Sequence, residues 1–114
     1  MGGEVQQITA RAVKGFSMRD EQIDAVANIL KSMSHPIRLK ILCLLQDREM
    51  SVGDIRDQVK TTNANVSQHL NILRSRGIID FRKDANFIYN RITDRRILDL
   101  IMKMQKLFCP DFEQ

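Results

Sequence analysis

In the stretch Thr61–Gly77, Val66, Leu70 and Leu73 recur at i, i+4 and i+7, the spacing that aligns apolar side chains on one face of an α-helix. Thr62 is a suitable N-cap ahead of them, and Gly77 is the residue type usual just past a helix end. The other face is not an ordinary solvated one. Asn63, Asn65, Ser67, Gln68 and His69 crowd its N-terminal half, with amide, hydroxyl and imidazole groups where Lys and Glu are usual. Such groups suit the edges of bases: Asn and Gln can bond adenine bidentately, and Ser can donate or accept. A helix N-terminus also favours a phosphate, through its free N–H groups and its dipole. A polar surface helix without a function is the alternative on this stretch alone.

Charge placement points the same way. Residues 60–91 hold Lys60, Arg74, Arg76, Arg82, Lys83 and Arg91 against only Asp80 and Asp84, so the whole net charge of +4 falls there. That concentration is expected of a nucleic-acid footprint. At 114 residues the chain is long enough for one cored domain and small enough to gain from dimerisation. No run approaches the length of apolar residues that spans a membrane, and the N-terminus lacks the apolar core of a signal peptide. Gln6 stands where a myristoylation signal requires Ser or Thr. The chain reads as cytoplasmic with no membrane partner, a compartment in which two cysteines are not expected to form a permanent staple.

Residues 1–19 show no sustained period and read as a flexible N-terminal arm. Ser17 or Asp20 caps a first helix to about Met33, with Ile23, Val26, Ala27, Leu30 and Met33 as its stripe. Ser34-His35-Pro36 breaks the chain and restarts it, because Pro fits a first helical turn and disfavours helical geometry just before it. The second helix, about Pro36 to Gln46, carries Ile37, Ile41, Leu42, Leu44 and Leu45. It is apolar over most of its circumference and is predicted to be the central buried helix, with Cys43 inside it. Ser51 opens a short third helix holding Val52, Ile55 and Val59 and ending near Lys60; with Thr61–Gly77 it makes a helix-turn-helix.

After Gly77 the period changes from 3.6 to 2. Ile79, Phe81 and Lys83 alternate with Asp80 and Arg82; a turn at Asp84–Asn86 leads to Phe87, Tyr89 and Arg91, alternating with Ile88, Asn90 and Ile92. This predicts a hairpin, with Arg82 and Lys83 near its tip as a basic wing. Asp94 or Thr93 caps a last helix to about Phe108, carrying Ile97, Leu100, Ile101, Met104, Leu107 and Phe108, and Pro110 stops it. The order α-α-α-α-β-β-α is a mainly α fold with a small β-hairpin, a winged helix-turn-helix over residues 20–109 with 110–114 as a tail. The stripes of the first and last helices are wider than one small core needs. They predict a homodimer through those helices, which suits a reader of palindromic sites.

Over about residues 20–108 the chain resembles the ArsR/SmtB family of bacterial transcriptional repressors. Ser34-His35-Pro36-Ile37-Arg38-Leu39-Lys40-Ile41-Leu42 is similar to the family's "HPxRLxIL" helix start. Val66 to Arg74, followed by Gly77-Ile78-Ile79, resembles its "VSxHLxxLRxxGLV" recognition helix and following strand. The resemblance implies a pseudo-palindromic double-stranded DNA operator as partner. It also implies a DNA-binding set of Thr62, Asn63, Asn65, Ser67, Gln68, His69 and Arg74, with Arg82 and Lys83 on the wing. His69 has a second reading, as a bridge to the third helix. The family's metal motif in the third helix, "ELCVCDL", is replaced by Glu49-Met50-Ser51-Val52-Gly53-Asp54-Ile55, which puts Ser51 and Gly53 at the cysteine positions. The last helix offers Asp94 and Asp99 but no His, so neither familiar metal site can be built and no metal or cofactor is expected.

Cys43 in the second helix and Cys109 at the end of the last resemble, with their surroundings, the thiol- and persulfide-sensing branch of that family. There a cysteine in each of these helices joins a disulfide or polysulfide bridge that weakens DNA binding. The resemblance thus implies a repressor controlled by the redox or persulfide state of Cys43 and Cys109. Two other readings stay open: a repressor whose cysteines pack as inert small hydrophobes, and a winged helix used only for protein contacts. An enzyme is not expected, since the chain has no Gly-rich phosphate loop and no readable His–carboxylate motif.

Overall fold

The computed structural model describes residues 17–113; the rest of the predicted arm, residues 1–16, lies outside the described residues. Contacts divide the chain into two units at Leu30/Lys31, inside the first helix. That helix, α1, is Asp20–Met33, with Asp20 and Glu21 in its first turn and Lys31 in its last, the arrangement that complements the helix dipole. Ile23, Val26 and Leu30 form its stripe and are all exposed.

In the second unit each helix starts where a side chain can take up a free N–H. α2 is Pro36–Leu44, with His35 as N-cap: its Nδ1 accepts from Ile37 N at 3.1 Å. α3, Val52–Val59, is capped by Ser51, whose Oγ accepts from Asp54 N at 3.1 Å. α4, Asn63–Ser75, is capped by Thr62, whose Oγ1 accepts from Asn65 N at 3.1 Å. α5, Arg95–Phe108, is capped by Asp94 accepting from Arg96 N, and a 3₁₀ turn over Pro110–Glu113 follows. Gly77, at φ 72°, ends α4: its N–H reaches Arg74 O and that of Ile78 reaches Leu73 O, the paired bonds of a Schellman motif.

The wing is built from β2, Ile79–Asp84, and β3, Phe87–Ile92, paired antiparallel from Ile79↔Ile92 to Asp84↔Phe87. The turn is Ala85-Asn86, and Ala85 takes φ 56°, a conformation that favours glycine. The predicted hairpin gains a third strand, the two-residue β1, Met50–Ser51, which pairs with β3 in the order β1-β3-β2. Two residues carry no readable alternation, so β1 has no pattern of its own.

Ile41, Leu42, Leu45, Ile55, Val66, Leu70, Leu73, Ile78 and Ile101 form the buried centre. The expectation of an α2 buried over most of its circumference is corrected. Its Ile41 and Leu42 face inward, whereas Leu39 and Cys43, one turn apart, are exposed. α2 also ends at Leu44, short of the predicted Gln46. Asn90 is fully buried among apolar groups; its Nδ2 donates to Met50 O at 3.2 Å and its Oδ1 accepts from Arg74 Nη2 at 3.1 Å. One amide thus joins β1, β3 and α4.

Candidate nucleic-acid interface

The polar face of α4 is presented at an N-terminus fixed by its neighbours. Thr62 spends its hydroxyl on the cap. Asn63 is exposed, and its Oδ1 accepts from Arg56 Nη1 at 3.1 Å. A guanidinium only donates, so this bond sets the amide and leaves its Nδ2 hydrogens for acceptors outside. Asn65 is half-buried with Nδ2 donating to Thr61 Oγ1 at 3.0 Å, which leaves its Oδ1 as an acceptor. Ser67 is half-buried and Gln68 exposed; among the described residues neither makes a side-chain hydrogen bond. The face therefore offers a donor at Asn63, an acceptor at Asn65 and both at Gln68, the combination needed to read base edges.

Two members of the predicted set do not lie on it. His69 is 8% exposed and turned against α2, where its ring centroid is 4.4 Å from that of His35 and its Nδ1 meets Arg38 Nη1 at 3.0 Å. This corrects its placement among groove-facing residues, and its bridge goes to α2 rather than to the third helix. The physical reason is position: His69 follows Val66 by three and precedes Leu73 by four, which puts it on the apolar side. Arg74 is likewise committed, with Nη1 on Asn71 Oδ1, Nη2 on Asn90 and its guanidinium 4.6 Å from the Phe81 ring centroid. Its Nε is buried without a partner. Arg74 holds the wing to α4, with two of its guanidinium nitrogens committed to neutral amides.

Arg82 and Lys83 are both exposed on β2, but their electrostatics differ. Arg82 Nε bonds both carboxylate oxygens of Glu49 at 2.9 Å, Asp84 lies 3.7 Å away, and the Tyr89 ring stacks beneath. The hydrogen bond to Glu49 is the main cause that raises its pKa. Much of the Arg82 charge is thus cancelled within the protein, whereas Lys83 has no ion-pair partner among the described residues. Glu49→Gln should free Arg82 and tighten DNA binding several-fold, with a steeper salt dependence. Anisotropy titration against labelled duplex checks this; unchanged affinity would mean that Arg82 does not reach the phosphates. Arg56, the residue that orients Asn63, was not singled out from sequence. It is one of several charges on a short helix, and only the folded turn brings it beside α4.

A second site lies between α2 and α5. Cys43 and Cys109 line one apolar groove of about 200 Å³ with Leu39, Ile101, Met104, Gln105 and Phe108. Both thiols are free and exposed. Burial of its sulfur pushes the Cys43 thiol pKa up, and Cys109 adds to the shift by disfavouring a second negative charge nearby. Among the described residues no cluster of three or more His, Cys, Asp or Glu is placed to hold a metal ion, and no helix is long and apolar enough to cross a membrane.

Residues 35–80 match the family described as "Bacterial regulatory protein, arsR family". The biofilm growth-associated repressor of Xylella fastidiosa (strain Temecula1) is 34% identical over 95 residues, which cover 83% of this chain and 83% of that protein. HlyU from Vibrio cholerae N16961 is similar in structure, with a TM-score of 0.76 at 30% identity over 80% of this chain and 99% of HlyU. The homodimeric winged helix-turn-helix DNA-binding domain of a possible ArsR-family transcriptional regulator from Mycobacterium bovis gives a TM-score of 0.73 at 26% identity. It covers 85% of this chain and 93% of that domain.

Proposed function

From membership of the arsR family of bacterial regulatory proteins, to which this chain belongs, we propose that it is a homodimeric, cytoplasmic transcriptional repressor. It reads a pseudo-palindromic operator through α4 and releases it when Cys43 and Cys109 are oxidised or persulfidated. Asn63, Asn65, Ser67 and Gln68 supply the base-reading face, and Lys83 with Arg82 the wing contact. The exposed apolar residues Ile23, Val26 and Leu30 of α1, and Met102, Leu107 and Phe108 of α5, support burial against a second copy.

The observation that favours thiol control over inert cysteines is the groove shared by Cys43 and Cys109, two helices and 66 residues apart in sequence. The chemistry balances with a peroxide. One thiolate attacks an oxygen and becomes a sulfenic acid as the first water leaves; the other thiol displaces the second water and the S–S bond forms. Two electrons pass from sulfur to the peroxide. A bridge between α2 and α5 would shift the last helix against the unit that carries α4, and so change the spacing of half-sites.

The test is release from a duplex selected from random DNA by the reduced protein. Peroxide or an organic persulfide should release the parent, and the peroxide-treated protein should lose two hydrogens in a Cys43–Cys109 crosslink. Cys43→Ser should stay bound under the same treatment. Its release as readily as the parent would remove the cysteines from the mechanism.

A further inference from the structure

Two imidazoles and a guanidinium make the polar link between the recognition helix and α2. Arg38 donates from Nε to Ser32 O at 2.5 Å and from Nη1 to His69 Nδ1 at 3.0 Å. Among the described residues the Arg38–His69 bond is the one side-chain hydrogen bond joining α2 to α4. The His35 ring lies 4.4 Å from that of His69, and its own Nδ1 accepts the Ile37 N–H that starts α2.

We infer that Arg38 and His69 are positioning residues for DNA binding: the neutral His69 ring latches α4 to α2, and acid opens the latch and lowers DNA affinity. The inference rests on the reading that α4 contacts DNA.

The donors fix the protonation state. A guanidinium has no lone pair to offer, so His69 Nδ1 must accept, and the ring must be the neutral tautomer with its proton on Nε2. Protonated, the His69 ring would point an N–H at a donor, lose its bond and place a second cation beside Arg38. No carboxylate forms an ion pair with His35, Arg38 or His69 among the described residues to absorb that charge. At 8% exposure, His69 has little access to water that would take the place of the lost partner. Its pKa is lowered first by burial, then by His35 at the N-cap of α2 and Arg38 within α2; among the described residues no titratable group of α3 or β2 acts on the ring. The unfolded chain takes this proton near the ordinary histidine value of about 6.5 while the folded one resists it. The contribution of His69 to stability is therefore complete above that pH and is lost as pH falls below it.

The sign distinguishes this from general electrostatics, since positive charge added by acid ordinarily tightens DNA binding. The experiment titrates a duplex, selected by the parent protein, from about pH 7.5 to about pH 5.5 at fixed ionic strength. Parent affinity should fall several-fold, with about tenfold as the ceiling for one proton taken up at an ordinary histidine pKa over this range. His69→Gln, whose amide oxygen accepts from Arg38 at every pH in this range, should give a flat or rising profile. Urea denaturation across the same range gives a readout without DNA: the parent midpoint should drop in acid more than that of His69→Gln. A parent affinity that holds or rises in acid, or variant and parent curves of the same shape, would overturn the latch. Failure of the parent to bind any duplex, with the difference in urea midpoints intact, would overturn the DNA reading and leave the latch standing.

Discussion

Asn90→Ala is expected to cost about 3 kcal/mol of folding stability, a sizeable part of what a single domain has. The side chain is fully buried and both ends of its amide are used, toward Met50 O and toward Arg74. Alanine would leave the Met50 carbonyl without this donor and remove one of the two hydrogen-bond acceptors that hold the Arg74 guanidinium. That guanidinium already has a buried Nε without a partner, so little else compensates it. β1 should loosen from β3, and the wing from α4. Denaturation in urea measures the cost, and a loss under about 1 kcal/mol would mean that water or rearrangement satisfies these groups.

The second large effect is on specificity. Gln68 is exposed on α4 with its amide uncommitted, so Gln68→Ala should leave folding unchanged and weaken binding to the selected operator by about 1–3 kcal/mol, roughly fivefold to 150-fold. Binding to random duplex should change little, as should the salt slope. Lys83→Ala should do the reverse, weakening all sequences alike and reducing the slope by about two, one for each protomer of the dimer. Competition titrations with operator and random DNA separate the two. Equal loss on both duplexes from Gln68→Ala would show that this face is not the reader.

The boundaries of α4 and α5 could be read in advance because their signals are local: Thr62 and Asp94 as caps, Gly77 as the stop and apolar residues at helical spacing between. What sequence reading missed depends on partners distant along the chain. Asn90 looks like the polar member of an alternating strand, yet β1 lies forty residues earlier and buries it. Arg74 and Arg82 look like uncommitted side chains, and their acceptors at Asn90 and Glu49 lie 16 and 33 residues away. His69 was legible in principle, since Val66, His69, Leu70 and Leu73 follow i, i+3, i+4 and i+7, but its polarity argued for the other face. The pairing of Cys43 with Cys109 entered only through family resemblance; the shared groove supplies a physical basis for it.

The most direct test of the account is the affinity of the reduced protein for a selected operator and for random duplex across a range of salt. The account predicts a preference for the operator of roughly a thousandfold or more, and a log–log salt slope of about −4 or steeper on both. Equal affinity for both duplexes, or a slope near zero, would contradict a regulator that reads DNA through α4 and its wing.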